Sequence, residues 1–306
     1  MTRVAAVDIG TNSIRLLVAD VEGGRDGTLT TLDRRMHITR LGQGVDATHR
    51  LAPEAVERTV AVLRDYGAAI RAAHVDATRA TATSAARDAT NREEFFAAAA
   101  EALGTTPELL SGEEEGRLAF SGATADLRDE PPPYLVIDIG GGSTEFTVGT
   151  TTPDASLSVD VGCVRITEAY LRSDPPTAEE LSQAVSVVRD EVSEVARTLP
   201  GVGDVKTAVG LAGTITTVAA VEQGVPYSRE AIHGFRLTRD AAEDVFRTLA
   251  LEPAAQRRHN PGLEPGRVDT IVGGAVVLVA VMRGLELDEV VVSEDDILDG
   301  LARSVA

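Results

Sequence analysis

The chain has 306 residues, a formal charge of −19, 43% hydrophobic and 25% charged residues, the composition of a soluble globular protein of one large or two ordinary domains. The acidic balance argues against non-specific nucleic-acid binding, which relies on positive surface. The longest apolar stretch, Ala275 to Met282, is too short to span a bilayer. Met1-Thr2-Arg3 runs straight into a strand with no signal-peptide core, and the lone cysteine, Cys163, excludes an internal disulfide or a cysteine-ligated metal site. These features predict a cytoplasmic protein that needs no membrane. A polyanionic substrate would need a local basic patch. The arginines of the first third, from Arg34 to Arg92, are the source for one, although most read as solvated helix-face residues.

Residues 3–20 read as two strands around a glycine turn, and Thr28 to Asp33 continues the sheet. Arg34 to Gly44 reads as a polar connection. Pro53 to Ala73 carries apolar residues at helical spacing behind a first-turn proline. Thr78 to Ala82 is a strand, and Arg87 follows in a strand-to-helix loop, a common place for anion-binding residues. Arg92 to Leu103 is helical and Pro107 to Leu110 a short strand. Ser111-Gly112-Glu113-Glu114-Glu115-Gly116-Arg117 opens the next helix. Three glutamates there suit the helix dipole, with the serine as cap.

Thr124 to Pro133 is polar, ends in three prolines, and is the best domain boundary, which predicts domains of 1–125 and 126–306. Beyond it come a strand, the turn Asp138-Ile139-Gly140-Gly141-Gly142-Ser143-Thr144-Glu145 and a second strand. Ser156 to Val161 is a strand, followed by Gly162-Cys163-Val164-Arg165 and a helix to Leu171, and Thr177 to Leu199 is a long helix. Thr207 to Leu211 is a buried strand leading into a glycine-threonine turn, Ala212 to Thr217, and a helix. Glu230 to Leu237 reads as extended, Thr238 to Leu249 and Val268 to Met282 as helical, and Glu289 to Val292 as a strand. Ser293 to Asp296 caps a final helix. Strands alternating with helices give an α/β class in two domains.

The chain contains a repeat. Val7 to Val18 aligns without a gap on Ile137 to Val148, placing Asp8 on Asp138, Gly10 on Gly140 and Ser13 on Ser143. Glycines let backbone N–H groups approach an anion, Ser143 adds a hydroxyl, and Asp138 and Glu145 offer the hard oxygens that suit Mg²⁺. The bland reading of either copy alone is a hairpin turn. Two copies suggest similar domains facing each other across a phosphate.

With these segments placed, the chain resembles the exopolyphosphatase/guanosine pentaphosphate phosphohydrolase family of the actin, sugar-kinase and Hsp70 superfamily. The resemblance rests on Asp8 to Leu16, Thr83 to Asn91, Ser111 to Arg117, Asp138 to Glu145, Gly210 to Thr214 and Arg267-Val268-Asp269. It implies two actin-like (ribonuclease H-like) α/β domains with an interdomain active-site cleft. It implies hydrolysis of the terminal phosphate of inorganic polyphosphate, with guanosine pentaphosphate (pppGpp) hydrolysis as the near alternative. A phosphotransferase or a non-enzymatic nucleotide sensor are the further ones. Glu115 matches the catalytic base, with Glu113 and Glu114 as internal competitors. Asp138 and Glu145, with Asp8 as a third, match the Mg²⁺-associated acids. Asn12, Ser13, Gly140, Gly141, Gly142 and Ser143 match the phosphate loops, and Arg87 the phosphate-contacting arginine. Gly213 and Thr214 match a nucleoside-side loop or survive as a turn.

The chain departs from the family at its C-terminal end. The common Ser-x-x-Gly-Leu-Arg-Glu-Gly becomes Ser293-Glu294-Asp295-Asp296-Ile297-Leu298-Asp299-Gly300, which removes a positive charge. The chain resembles the short, two-domain actinobacterial type. It lacks the helical extension of larger members, so a long polyphosphate channel is absent or made by a second subunit of a homodimer. Short polyphosphate, or a nucleotide such as pppGpp, fits the acidic chain more easily than very long polyphosphate.

Overall fold

The structure, a computed structural model, describes residues 1–24, 27–125, 127 and 129–306. The chain forms two compact units, Met1–Ala125 with Asp295–Ala306, and Asp126–Glu294. The sequence reading ran the second domain to 306; residues Asp295–Ala306 instead lie with the first unit. The fold is mixed α/β with two sheets.

The first sheet holds β1 (Thr2–Ile9), β2 (Ser13–Glu22), β3 (Thr28–Ile38), β4 (Ala77–Ala82) and β5 (Glu108–Leu109) in the order β3-β2-β1-β4-β5. β1, β2 and β3 form an antiparallel meander, and β4 joins β1 in parallel through the long Pro53–Ala73 helix. β3 extends five residues past its expected end. Arg34 to Ile38, read as a connection, instead pairs with β2 as far as Ser13↔Ile38, past a register shift at Val18/Ala19. Its polar, half-exposed residues give an edge strand no hydrophobic signature.

β1 and β2 are buried on both faces, which is why they read as unbroken apolar runs. Ala5, Val7, Ile14, Leu16 and Val18 pack with Leu63, Tyr66, Phe95 and Phe96 from the Pro53–Ala73 and Arg92–Leu103 helices. On the other face the Ile297–Ser304 helix lies against β1, β2 and the Gly112–Ala123 helix. Leu298 and Leu301 of that helix are buried, each contributing roughly 1.5–3 kcal/mol.

The second sheet holds β6 (Tyr134–Ile139), β7 (Thr144–Gly149), β8 (Pro153–Val159), β9 (Thr207–Leu211), β10 (Arg236–Thr238) and β11 (Glu289–Val292), ordered β10-β11-β9-β6-β7-β8. β6, β7 and β8 repeat the meander, and β9 and β11 continue in parallel. Each unit thus carries the three-strand meander extended by parallel strands that the internal repeat implies. The segment Glu230 to Leu237, expected to be extended, is instead a helical turn at Arg229–Ile232 before the short β10. Ser228 caps that turn and Ile232 is fully buried. Under the sheet, Gly273 and Gly274 of the Ile271–Gly284 helix allow close contact. A Cβ at Gly273 would meet Thr167 Oγ1 at 2.4 Å, and one at Gly274 Thr214 Cγ2 at 2.6 Å.

The docking of the Ile297–Ser304 helix yields a test. A Cβ at Gly300 would sit 2.0 Å from the Leu118 carbonyl oxygen, a backbone atom that cannot turn aside. Gly300→Ala should lower unfolding free energy by about 2–4 kcal/mol in urea titration.

Candidate functional site

Both hairpins close in the same way. Gly10 N donates to Ser13 O and Gly140 N to Ser143 O, each at 3.0 Å. The register of each pair then sets the chemistry. Asp8 lies opposite Arg15 in the first unit, and Asp138 opposite Glu145 in the second. Directly opposed residues share one face of the sheet, so the second hairpin brings two carboxylates together.

In the first unit, residues 39–42 clamp the turn. Thr39 N and Arg40 N donate to the Asn12 carbonyl at 3.1 and 2.9 Å, and Gly42 N to the Thr11 carbonyl at 2.8 Å. Gly42 is required there, because a Cβ would meet Thr11 Cγ2 at 2.3 Å. The Asn12 side chain is buried, and neither its Nδ2 nor its Oδ1 has a hydrogen-bond partner among the described residues. Leaving such groups unsatisfied costs about 1–3 kcal/mol, which makes Asn12 a candidate ligand contact. Ser13, the first residue of β2, is half-buried beside it.

The three glutamates divide their roles by position on the helix. Ser111 caps it and accepts from Glu114 N at 3.3 Å, while Glu114 Oε2 accepts from Ser111 N at 3.0 Å, completing a capping box. Those Ser111 bonds hold the Glu114 carboxyl below its usual range. Glu113 is exposed. Glu115 turns inward and keeps only 13% side-chain exposure. Its Oε2 accepts from Arg87 Nη1 at 2.9 Å. Burial pushes its pKa up to about 7, against the opposing pull of Arg87, and the nearby Asp8 charge adds to the rise. Arg87 sits in a short helix, Ser84–Asp88, rather than in a loop, and also donates to the Leu110 carbonyl at 3.1 Å. Asp8, Arg15, Arg87 and Glu115 therefore form one electrostatic cluster. Burial raises the Asp8 carboxyl, with Arg15 pulling it back.

In the second unit, the Cys163–Tyr170 helix holds the glycine turn by its carbonyls. Cys163 N donates to Gly140 O at 3.0 Å, Val164 N to Gly141 O at 2.8 Å, and Arg165 Nε to Gly142 O at 2.8 Å. In a trans peptide the N–H points opposite the C=O. The amides of Gly141, Gly142 and Ser143 therefore face away from that helix, as an anion-binding turn requires. Gly162 makes this approach possible, since a Cβ there would lie 2.5 Å from the Gly141 carbonyl group. Asp138 and Glu145 are buried, and Glu145 Oε1 accepts from Ser158 Oγ at 2.8 Å. Among the described residues no three His, Cys, Asp or Glu side chains gather as a metal cage. An opposed carboxylate pair fits a hard divalent ion that takes its other oxygens from water and phosphate.

The Gly213–Thr214 segment is not a separate turn. β9 passes directly into the Ala212–Gln223 helix, with Ala212 at φ +64°. Thr214 is buried against Gly274. Gly213 lies under Arg267, whose guanidinium carbon a Cβ at 213 would meet at 2.1 Å. Arg267 is 9% exposed, and its Nε donates to Glu264 Oε2 at 2.7 Å. It is a buried cation packed over Gly213. The signal for it was Gly213 itself, a glycine needed for another residue's side chain.

The Ppx/GppA phosphatase family profile matches residues 17–304. The chain belongs to the Ppx/GppA phosphatase family. It is 45% identical to Exopolyphosphatase 2 of Mycobacterium tuberculosis over 317 aligned positions, covering 100% of this chain and 99% of the relative. A crystal structure of an exopolyphosphatase-like protein matches with a TM-score of 0.95 at 38% identity, covering 100% and 98% of the two chains. The Aquifex aeolicus Ppx/GppA family member matches with a TM-score of 0.81 at 33% identity, covering 99% and 97%.

In this Ppx/GppA protein the half-buried Glu115 opposes stability at alkaline pH. Its folded pKa of about 7 lies above the unfolded value, so the folded state holds the proton more tightly. The resulting stabilisation is complete below the unfolded pKa and is lost as pH rises through about 7. Glu115→Gln should therefore raise unfolding free energy by about 1–3 kcal/mol at pH 8 and by less at pH 5, read by chemical denaturation at both pH values.

Proposed function

We propose that the protein is an exopolyphosphatase that hydrolyses the terminal phosphoanhydride of inorganic polyphosphate and releases orthophosphate. The observation that carries this reading is Glu115, largely withdrawn from solvent, held by Arg87, and poised to titrate near neutrality. A general base works best with a pKa near the operating pH. Membership of a phosphatase family and 45% identity to a protein named Exopolyphosphatase 2 support the substrate class.

Glu115 accepts the proton of the attacking water as its oxygen bonds to the terminal phosphorus. The bond to the bridging oxygen breaks, and the shortened chain leaves on that oxygen. Arg87 orients the Glu115 carboxylate and offers its planar fork to phosphate oxygens. In the second unit the outward amides of Gly141, Gly142 and Ser143 offer phosphate hydrogen-bond donors, and in the first unit Asn12 and Ser13 offer theirs. In the second unit Asp138 and Glu145 would hold Mg²⁺, and Asp8 is the corresponding acid of the first unit. Bound there, the ion neutralises charge on the phosphoryl oxygens. A net charge of −19 favours short polyphosphate over long. The single buried thiol, Cys163, suits a cytoplasmic setting. A homodimer, whose second copy lengthens the path for a long chain, belongs to the same reading.

Phosphate release from short polyphosphate, long polyphosphate, pppGpp and ATP, each with Mg²⁺, tests the proposal. Short polyphosphate should be the preferred substrate. Release from none would end the hydrolase reading, and preference for pppGpp would replace polyphosphate as substrate. kcat/KM should fall about tenfold per pH unit below the Glu115 pKa of about 7, because protonated Glu115 cannot accept a proton. Glu115→Gln should fold and lose about 100-fold or more in kcat; a fully active variant would remove Glu115 as the base.

A further inference from the structure

Asp8 is 4% exposed, and its two oxygens are treated differently. Oδ2 accepts from Arg15 twice, from Nη2 at 2.8 Å and Nε at 3.2 Å. Oδ1 has no hydrogen-bond partner among the described residues. An arginine facing a carboxylate ordinarily spreads its fork over both oxygens. Here another nitrogen of that fork, Nη1, donates to Asp296 Oδ2.

Asp296 is a rigid anchor. It is 7% exposed and begins the Ile297–Ser304 helix. Its Oδ1 accepts from Leu298 N at 2.9 Å, its N–H donates to Asp299 Oδ2 at 2.9 Å, and Arg34 Nη2 reaches its Oδ1 at 3.4 Å. Arg34 in turn grips Asp299 with both terminal nitrogens, at 3.0 and 2.9 Å. The two aspartates thus have separate duties. Asp299 docks the helix on β3 through Arg34, and Asp296 also engages Arg15, which holds Asp8.

We propose that Asp296 is a positioning residue for the reaction. By holding Arg15 Nη1 it keeps the arginine on one oxygen of Asp8 and leaves the other for use in phosphate handling. Without Asp296, Arg15 closes over both oxygens and removes Asp8 from service. Asp296 stands where the common pattern of the resembled family has a glycine, so the device belongs to this chain's own departure from that pattern. The inference rests on the reading that Asp8 belongs to the hydrolytic site.

The test measures kcat, KM for short polyphosphate and thermal midpoint for Asp296→Asn, Arg15→Gln, their double variant, Asp299→Asn and Asp8→Asn. Asparagine caps a helix as well as aspartate, so Asp296→Asn keeps the fold. It should lower kcat about tenfold with KM within about twofold, and the double variant should be no slower than Arg15→Gln alone, the non-additivity of residues acting in series. Asp299→Asn should lower the thermal midpoint while leaving kcat within about twofold. Multiplying effects of Asp296→Asn and Arg15→Gln, or equal kcat losses at 296 and 299, would overturn the positioning role alone. A fully active Asp8→Asn variant would overturn the role of Asp8 and the inference with it.

Discussion

A single hydrogen bond, made twice, sets the chemistry of both units. Gly10 N to Ser13 O and Gly140 N to Ser143 O close turns of equal length between antiparallel strands. Neither glycine tolerates a side chain well; a Cβ would lie 2.9 Å from Ser13 O and 3.1 Å from Ser143 O. The turn fixes the register, and a one-residue slip would send every side chain to the opposite face. At that fixed register the residue seven positions after each aspartate must face it. In the first copy this residue is Arg15, which makes a neutralised pair. In the second it is Glu145, which makes a pair of acids. One position therefore separates an ion-paired aspartate from a candidate cation site, on the same backbone frame.

The same economy appears at the first turn of the Gly112–Ala123 helix. Three consecutive glutamates are chemically identical, and the helix distinguishes them by direction. Glu114 points back to the N-terminus and satisfies the cap, Glu113 meets solvent, and Glu115 turns into the protein toward Arg87. Burial disfavours the charged carboxylate, the guanidinium favours it, and burial wins, so the group titrates near neutrality. Without the arginine a carboxyl so buried would stay protonated to higher pH and serve poorly as a base. Without the burial it would be ionised but weakly basic.

Features written in local pattern were legible in the sequence. The Pro53–Ala73 and Arg92–Leu103 helices announce themselves by apolar spacing, and the gapless repeat marks both hairpins. Arg34 to Ile38 was missed because an edge strand covered on one side carries no apolar run. Glu230 to Leu237 was missed because a four-residue helical turn gives periodicity nothing to act on. The place of Asp296 and Asp299 was hidden for a different reason. Their partners Arg15 and Arg34 lie more than 260 positions away, and charge pairing at that separation leaves no local trace. Arg267 was hidden likewise, since the glycine that accommodates it lies on another helix.

The return of the Ile297–Ser304 helix to β1 and β2 makes the first unit discontinuous, while the second is one uninterrupted stretch. This difference has a consequence on the ribosome, where chains emerge from the N-terminal end and domains fold as units. The second unit can mature as soon as its own residues have emerged. The first unit begins earlier and finishes later, because one face of its sheet waits for a helix made after the whole second unit. Until then Val4, Ala6 and Leu17, wholly buried in the finished protein, lack their cover. The earlier of the two units is thus the one that depends longer on protection from aggregation.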